Sequence, residues 1–368
     1  MEGLAMSQFT PSFWRNKRVF LTGHTGFKGA WLALWLKELG AQVTGYSLAP
    51  NTSPNFFEAC RVAQGMQSII GDIRHMDELS AALSASRAEV VLHLAAQSLV
   101  HYGYKNPIET YATNVMGTVN VLEAVRSVST VKSVVIVTTD KCYENQEWHW
   151  GYRENEPMGG FDPYSSSKGC AELVTAAYRS SYFNPQEYVR HGVGIASARA
   201  GNVIGGGDWA ADRLIPDIMR AVSDGQPALI RRPASIRPWQ YVLEPLAGYL
   251  LLAEQLYANG SAISGAYNFG PNDQDVQPVQ WIVEKLTNLW GEGARWTVDG
   301  ANHPHEAQYL KLDCSKAKVV LGWQPRLSLS NALEYVVHWQ KAHNAGQDMA
   351  TLSRAQIASF LQMYATNG

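Results

Sequence analysis

The sequence predicts an α/β protein with a doubly wound parallel sheet and a smaller C-terminal α/β lobe. Over the first two hundred residues, short apolar runs alternate with helical patterns, as repeated strand–helix units do. The segment GHTGFKG directly follows the first of these runs. Near residue 201 the sequence changes to GNVIGGGDW and then to short strands mixed with helices. We therefore expect a larger domain at 15–200 and a lobe at 201–368 that completes a cleft, with contributions crossing between the two.

Six strands are expected in the larger domain. Each is a short apolar run, most of them rich in β-branched residues, as strands covered on both faces require. In chain order they lie at 17–22, 42–47, 66–71, 89–94, 133–138 and 192–199. The smaller lobe is expected to contain strands and helices in turn, with strands at 228–231, 239–243, 266–270 and 307–312 and helices at 244–257, 278–290 and 328–343.

The first helix is expected between the first two strands, in GAWLALWLKELG. Leu32, Trp35, Leu36 and Leu39 share one helical face, which predicts an amphipathic helix packed on the sheet. Gly40 follows as the glycine that commonly ends a helix. We expect both tryptophans of this segment in the core.

Composition excludes several classes of protein. The 368 residues are 46% hydrophobic and 17% charged, with a formal net charge of -2, so nothing indicates a nucleic-acid or membrane partner. We find no apolar stretch long enough to span a membrane and no apolar core of a secretory signal near the amino terminus. The four cysteines have no metal-ligand spacing. We expect a cytoplasmic protein with reduced thiols and no metal site.

The segment GHTGFKG predicts a Rossmann-type site for a dinucleotide cofactor. Gly23 permits a tight turn, Gly26 lets the backbone approach a pyrophosphate, and Gly29 allows the helix to pack closely on the strand. The helix amino terminus then presents its positive dipole to the phosphates. The spacing is GxxGxxG rather than GxGxxG, and its position between a strand and a helix makes the signal specific.

The sequence favours NAD over NADP as the cofactor. The acidic residue that commonly ends the second strand and binds the ribose hydroxyls is missing, and Ser47 or Asn51 could replace it. No arginine stands there for a 2′-phosphate, although Lys28 could be recruited. Asp72, after the third strand, suits a contact with adenine or a plain helix cap.

The fifth strand ends in TTDK, where ligands bind in open α/β sheets. Thr139, Asp140 and Lys141 bring a hydroxyl, an acid and a possible base to this edge. Further on, YSSSK places Tyr164 and Lys168 four residues apart at the start of a helix, and hence on one face. An ammonium group there is expected to lower the pKa of the phenol, which makes the tyrosine a usable base.

These motifs, together with HLAAQS after the fourth strand, resemble the extended short-chain dehydrogenase/reductase superfamily over about residues 15 to 345. Threonine and aspartate at the end of the fifth strand are similar to the nucleotide-sugar 4,6-dehydratases. The Asp140–Lys141 pair, where dTDP-glucose enzymes usually have Asp-Glu, resembles the CDP-glucose branch, as do RAGNVIGGGDW and IRPWQYVLEPL.

The resemblance implies a lyase that uses bound NAD to convert CDP-glucose to CDP-4-keto-6-deoxyglucose, within deoxysugar or O-antigen synthesis. Tyr164 would take the proton of the carbon-4 hydroxyl, and Thr139 would bond the same oxygen. Asp140 would protonate the leaving carbon-6 hydroxyl. Lys141 would remove the carbon-5 proton, or it could only pair with Asp140 or position the substrate.

The resemblance also implies contacts and an assembly. Cofactor contacts are expected at Gly23, Gly26, Phe27, Gly29, Asp72, Ile73, Leu94, Ala95, Ala96, Thr113, Tyr164 and Lys168. Substrate contacts are expected at Gln97, Asn202, Arg213, Arg237, Asn268 and His305, while Arg231 and Arg232 could be plain surface charge. Thr113 and Asn114 match the cofactor-side helix, although either could equally be a helix cap. Relatives pair through helices spanning 105–128 and 164–181, so we expect a homodimer or larger homo-oligomer.

Two other functions fit parts of the sequence. An epimerase or reductase acting on nucleotide sugars would use the same fold, cofactor loop and tyrosine–lysine pair. A non-catalytic dinucleotide sensor would need only the glycine loop. The sensor hypothesis requires the loss of a tyrosine, lysine or strand-end acid, and all three are present.

Overall fold

The chain folds around a seven-stranded parallel sheet. The computed structural model describes residues 9–300 and 309–365, and the sheet has the strand order β10-β6-β5-β4-β1-β2-β3. Its strands are β1 (Arg18–Thr22), β2 (Gln42–Ser47), β3 (Gln67–Ile70), β4 (Val90–His93), β5 (Ser133–Val137), β6 (Gly194–Ala200) and β10 (Gly265–Phe269). The doubly wound parallel sheet and all six strands expected in the larger domain are confirmed.

Helices cover both faces of this sheet and build the second lobe. They are α1 (Phe27–Glu38), α2 (Phe56–Ala59), α3 (Met76–Ser86), α4 (Val100–Lys105), α5 (Pro107–Tyr111), α6 (Gly117–Arg126), α7 (Pro163–Ser181), α8 (Tyr188–His191), α9 (Leu214–Ser223), α10 (Leu243–Asn259), α11 (Val279–Trp290), α12 (Ser315–Leu321), α13 (Leu329–Asn344) and α14 (Met349–Ala365). A π-helical turn at Ala112–Met116 joins α5 to α6. In the described part of the chain, no helix is both long and apolar enough to cross a membrane.

The sheet reverses its winding between β1 and β4. From β1 the chain goes on to β2 and β3 on one side, and then crosses to β4, β5 and β6 on the other. Loops that leave the ends of β1 and β4 therefore diverge, and the crevice between them is where doubly wound sheets bind ligands. The glycine loop follows β1 directly and lies at this crevice.

The seventh strand comes from beyond the predicted domain boundary. The strand β10 pairs in parallel with β6, with Gly265 opposite Ala196 and Phe269 opposite Ala200. The helix α10 packs against the same sheet and is buried over most of its length. The division at residue 200 therefore does not separate the sheet from the second lobe, because 243–269 return to the sheet.

The first helix is buried all round rather than amphipathic. Residues 29–36 are all buried, because α2, α10 and α14 pack on α1 as well as the sheet. Trp31 stacks on Phe56 at a centroid distance of 4.5 Å, and Trp35 meets Phe360 of α14 at 5.7 Å. Both tryptophans are in the core, as expected. Gly40 has a φ of +80°, the left-handed conformation predicted after this helix.

The second lobe lies at the carboxyl ends of the strands of the seven-stranded sheet. It contains two small parallel sheets, one of β7 (Asn202–Ile204) with β9 (Trp239–Tyr241), the other of β8 (Ala228–Ile230) with β11 (Trp296–Val298). The predicted strand at 307–312 lies partly outside the described residues, and Tyr309 and Leu312 form only isolated bridges. The lobe and the sheet edge enclose the cavity described below.

Candidate active site

The glycine loop forms a cradle at the amino end of α1. Gly23 has a φ of +78°, and a Cβ there would lie 2.7 Å from the nitrogen of Ala95. A Cβ on Gly29 would lie 2.0 Å from the carbonyl oxygen of Gly23, so two of the three predicted glycines are required by close backbone approach. Gly26 is the N-cap of α1 and offers no side-chain cap. The first amides of the helix are thus available to an anion, and the cradle fits a pyrophosphate.

A buried histidine connects the loops after β1 and β4. The Thr22 hydroxyl accepts hydrogen bonds from the amides of Leu94 and Ala95, both at 3.2 Å. It lies 2.7 Å from Nδ1 of His93, and must donate to that nitrogen because its acceptor side is taken. Burial lowers the pKa of His93 to about 3, so the ring is neutral. This network sets the spacing of the two loops that flank the cofactor crevice.

The amide of Asn114 ties the β4 loop to α7. Its Oδ1 accepts from the amide of Gln97 at 2.9 Å, and its Nδ2 donates to the Ser167 hydroxyl at 2.8 Å. Asn114 is therefore not a helix cap. The side chain of Gln97 bonds the Thr110 hydroxyl and the Leu99 amide and does not line the cavity. The structure thus does not support the expected substrate contact of Gln97, because the Leu99 amide and the Thr110 hydroxyl take the two ends of its amide.

The residues expected around adenosine lie at the ends of β2 and β3. The Asp72 carboxylate accepts from the Arg74 guanidinium at 2.6 Å and from the Arg74 amide at 2.9 Å, so it closes its own turn. The Ser47 hydroxyl lies 2.9 Å from that of Thr25. Lys28 does not lie near these two strand ends but lines the cavity described below. The cation that could have bound a 2′-phosphate of NADP is therefore not at the adenosine end.

Gly29→Ala is expected to destabilise the fold and weaken cofactor binding. The added methyl group would collide with the backbone of Gly23, and overpacking of this kind costs about 1–3 kcal/mol. Thermal melts with and without NAD measure both effects. Gly300→Ala is the matched control, because a Cβ at exposed Gly300 meets nothing within 4 Å. Equal melts and equal NAD stabilisation for the two variants would contradict this account of the cradle.

The end of β5 turns the catalytic candidates into the cleft. Asp140 begins a short 3-10 turn, Asp140–Cys142, for which the Thr139 hydroxyl is the cap. The Asp140 side chain is fully buried; its Oδ1 accepts from the Thr139 hydroxyl at 3.0 Å, while Oδ2 has no partner among the described residues. The Lys141 amine lies 3.4 Å from Oδ1 of Asp140 and 3.2 Å from Oδ1 of Asn202. Acid and amine thus form one pair on the cavity wall.

The tyrosine and lysine of YSSSK lie on α7, which Asp162 caps through the Ser165 amide. Burial is the main reason that the pKa of Tyr164 is raised, to about 12, although a hydrogen bond with Thr139 opposes the rise. The expected lowering of this pKa by Lys168 is therefore wrong for the chain alone. The Lys168 amine donates to the carbonyl oxygen of Val137 at 3.0 Å. Burial lowers the pKa of Lys168 to about 8.

These groups meet at a cavity of about 970 Å³ between the sheet and the second lobe. Of the predicted site residues, the cavity wall includes Phe27, Thr139, Asp140, Lys141, Tyr164, Asn202, Arg213 and Arg237. Lys28 joins them from the start of α1. Burial and the nearby charge of Lys168 lower the pKa of Lys28 to about 7.

Four arginines of the second lobe line one part of this cavity. Arg213 is held by the Asp208 carboxylate and the Ser98 hydroxyl, both at 2.9 Å. Arg237 is buried. Arg231 reaches across to His101 at 3.2 Å, so it is not plain surface charge, and Arg232 lies beside it on the wall. A planar guanidinium suits a phosphate, and this part of the cavity fits a diphosphate.

Asn268, another expected substrate contact, is not brought to the cavity. Asn268 is fully buried in β10; its Nδ2 donates to the carbonyl oxygens of Tyr152 and Asp313, and its Oδ1 accepts from the Tyr143 hydroxyl. Every part of this amide is used inside the protein, so Asn268 is a structural residue. His305 lies outside the described residues. In the described part of the chain, no group of three His, Cys, Asp or Glu could hold a metal.

Several lining residues were missed or misassigned from the sequence. Ser98 and His101 follow the HLAAQ motif, and Asp208 lies in the GGGDW segment, so a motif was near each. The sequence around these three residues does not show in which direction their side chains point. Ile73, another expected cofactor contact, is buried against Gly117, while the cofactor contacts expected at Leu94, Ala96 and Thr113 stay predictions.

Known proteins match this chain over nearly its whole length. The family model described as GDP-mannose 4,6 dehydratase matches residues 20–336. The CDP-glucose 4,6-dehydratase of Salmonella typhimurium is 57% identical over 95% of this chain and 98% of its own. The GDP-mannose 4,6-dehydratase of Sordaria araneosa is 26% identical over 88% of this chain and 61% of its own.

Solved structures share the fold at lower identity. The UDP-glucose 4-epimerase of Thermotoga maritima has a TM-score of 0.76 at 21% identity, and the match covers 89% of this chain and 99% of that one. The dTDP-glucose 4,6-dehydratase of Bacillus anthracis, solved with NAD, has a TM-score of 0.72 at 21% identity over 90% and 98%. With the family model and the close relative, the chain belongs to the GDP-mannose 4,6 dehydratase family, within the extended short-chain dehydrogenase/reductase superfamily.

Proposed function

We propose that the protein is a hydro-lyase that converts CDP-glucose to CDP-4-keto-6-deoxyglucose and water, with NAD as a cofactor that is used and regenerated in each turnover. The observation that carries this proposal is the pair of buried Asp140 and partly buried Lys141 beside Tyr164 on one cavity wall. Oxidation alone needs only the tyrosine. The additional acid and amine are what elimination of water requires, which favours a dehydratase over an epimerase or reductase of the same fold.

NAD is proposed as the cofactor because the cradle fits a pyrophosphate and Lys28 is turned away from the ribose. Relatives of the same fold have been solved with NAD, among them the dehydratase of Bacillus anthracis. Bound NAD would accept a hydride from carbon 4 of the sugar and return it to carbon 6. The cradle of Gly23, Gly26 and Gly29 would hold its phosphates, with Lys168 and Tyr164 beside its reactive end.

Tyr164 would take the proton of the carbon-4 hydroxyl. Its hydrogen bond with Thr139 and the charge of Arg213 both favour the phenolate against the effect of burial. A positive charge brought into the site with cofactor would act in the same direction. Thr139 would also bond the substrate oxygen, since its hydroxyl lies between the phenol and Asp140.

Asp140 and Lys141 would divide the elimination between them. Removing the carbon-5 proton needs a neutral amine, and protonating the carbon-6 hydroxyl needs a neutral acid. The Lys141 amine lies 3.4 Å from Oδ1 of Asp140, so a proton can pass directly between the two groups. The free Oδ2 of Asp140 could carry this proton, while Asn202 holds the Lys141 amine in place.

The diphosphate would lie against Arg213 and Arg237, with Arg231 and Arg232 nearby on the same wall. The choice of cytidine rests on the 57% identity to the Salmonella typhimurium enzyme, because the contacts above recognise phosphate rather than a base. Supplying CDP-, dTDP-, GDP- and UDP-linked glucose in turn, and identifying the products by mass spectrometry, tests this choice directly. Turnover of another sugar nucleotide in preference to CDP-glucose would overturn it.

With CDP-glucose, we expect keto-sugar formation without accumulation of NADH, because the hydride leaves and returns within each turnover. The measurement compares product formed with NADH absorbance over many turnovers, at a catalytic amount of NAD. Boiled enzyme and enzyme without sugar are the controls. Accumulation of NADH equal to product would instead indicate a simple dehydrogenase.

We also propose that the chain forms a homodimer or larger homo-oligomer through the surface of α5, α6 and α7. Ile108, Met116 and Leu173 lie on this surface, with exposures of 85%, 52% and 60%. Large apolar side chains exposed together favour a protein interface. Light scattering of the purified protein tests this assembly, and a monomer at micromolar concentration would contradict it.

A further inference from the structure

A buried glutamate lies one helical turn beyond the tyrosine–lysine pair. Tyr164, Lys168 and Glu172 are spaced by four residues on α7 and so share one face. The Glu172 side chain is only 4% exposed. Its carboxylate is an acceptor at both oxygens, Oε1 from the Thr138 hydroxyl at 2.5 Å and Oε2 from the Ser197 hydroxyl at 2.7 Å. Glu172 thus holds the residue at which the catalytic turn leaves β5.

Arg199 holds the other end of that turn. Its Nη2 donates to Oε2 of Glu172 at 2.7 Å. Its Nη1 donates to the Tyr143 hydroxyl at 2.7 Å and to the carbonyl oxygen of Glu154 at 2.9 Å. Tyr143 immediately follows the Asp140–Cys142 turn. The segment 138–143, which carries Thr139, Asp140 and Lys141, is therefore fixed at both ends by one buried ion pair.

The stability of the fold does not by itself explain this ion pair. Taking two charges out of water is expensive, and apolar residues of similar volume are often as stable as a buried pair. Here the negative member faces a second cation, Lys168, whose only hydrogen bond among the described residues is to a neutral carbonyl oxygen. The charge on Glu172 is therefore available to both Arg199 and Lys168.

We propose that Glu172 is a positioning residue with two effects: through Thr138 and Arg199 it fixes the turn that carries the acid and the amine, and through its charge it keeps Lys168 protonated. The inference rests on the function proposed above, in which Lys168 acts beside the cofactor as a cation.

The groups that face Lys168 set the direction of the electrostatic effect. Burial lowers the pKa of Lys168 to about 8, and Glu172 raises it, with a further contribution from Cys142. His93 of β4 and Lys28 of α1 also face this amine. Glu172 in turn faces Arg199 and Arg179, and its own pKa is lowered by Arg199 after burial has raised it. Loss of the Glu172 charge should therefore lower the pKa of Lys168 further.

Glu172→Gln tests this effect through the pH dependence of product formation. Activity that needs protonated Lys168 falls as the pH rises through the pKa of that amine. In the variant we expect this alkaline fall to move to lower pH by about one unit, the size of effect that a nearby charge commonly has. Ser197→Ala is the matched control, because it removes a hydrogen bond to the same carboxylate but no charge. Its alkaline fall should stay in place.

A double variant separates the charge effect from damage to the fold. Glu172→Gln leaves Arg199 buried without its charged partner, which is destabilising. Glu172→Gln with Arg199→Met removes both charges and should recover the melting temperature. The alkaline fall of its activity should still lie at lower pH than in the wild type. A wild-type pH profile in the double variant would overturn the proposal. So would an alkaline fall in Ser197→Ala that moves as far as it does in Glu172→Gln.

The same shift is expected without any sugar. The proposed function places Lys168 beside the cofactor, so its protonation should appear in the pH dependence of the NAD dissociation constant, measured by calorimetry. If the wild-type protein does not convert CDP-glucose, the function proposed above is wrong. The positioning role of Glu172 is then tested by the pH dependence of NAD binding alone. An identical binding profile for the wild type and Glu172→Gln would refute it.

Discussion

Asp140→Asn is expected to stop turnover after oxidation, with the 4-keto sugar and NADH accumulating on the enzyme. Asparagine retains the size of the side chain and an acceptor for the Thr139 hydroxyl, but it cannot donate a proton to the carbon-6 hydroxyl. Elimination should slow by about 10²–10⁴, the usual contribution of a general acid. Rapid-quench sampling of a single turnover, with NADH absorbance recorded in parallel, measures the two steps separately.

Two outcomes would contradict the role of Asp140. If Asp140→Asn prevents NAD reduction, the residue serves oxidation or the geometry of the cofactor. If it changes neither step, the pair with Lys141 is structural, and the proposal of a dehydratase loses its main support. Asp224→Asn, at an exposed position at the end of α9, controls for the substitution itself, and melts with NAD confirm that each variant folds and binds cofactor.

Tyr164→Phe is expected to lose oxidation while still binding CDP-glucose and NAD. The phenol is the group of α7 on the cavity wall that can take the carbon-4 proton, and its removal leaves the helix and Lys168 in place. We expect a loss of about 10²–10⁴ in the rate of the first step. Single-turnover NADH formation measures that rate, and calorimetry measures the binding of each ligand.

The pattern of loss distinguishes Tyr164 from Asp140. Tyr164→Phe should show neither NADH nor keto sugar in a single turnover, whereas Asp140→Asn should show both. Tyr104→Phe, at a partly exposed position of α4 outside the cavity, is the matched control and should behave as the wild type. Near-normal turnover by Tyr164→Phe would mean that another group takes the first proton.

Much of the fold follows from local sequence. All six strands of the larger domain were predicted, because each is a short apolar run ended by a turn. The helix α1 was placed correctly but its surroundings were not. Its pattern indicates one apolar face packed on the sheet, yet Trp35 of that face meets α14, and Trp31 beside it stacks on Phe56. A helical pattern gives the faces of a helix, while elements distant in sequence decide how many of those faces are buried.

The sequence by itself determined the groups whose chemistry is local: the glycine cradle after β1, the TTDK turn after β5, and the tyrosine and lysine four residues apart on α7. In each of these, the spacing along the chain fixes the spacing in space, because one turn or one helix holds all the members. The structure keeps all three as the motifs predict.

Only the tertiary structure decided which side chains complete the site. Lys28 lines the catalytic cavity, and Arg231 contacts His101. The side-chain amides of Gln97 and Asn268 instead form hydrogen bonds within the protein. The partners of Arg231 and Asn268 come from elements far away in sequence, as does β10, which joins the sheet from beyond the predicted boundary. A side chain's direction depends on the donors, acceptors and volume around it, and these exist only once distant segments have packed together.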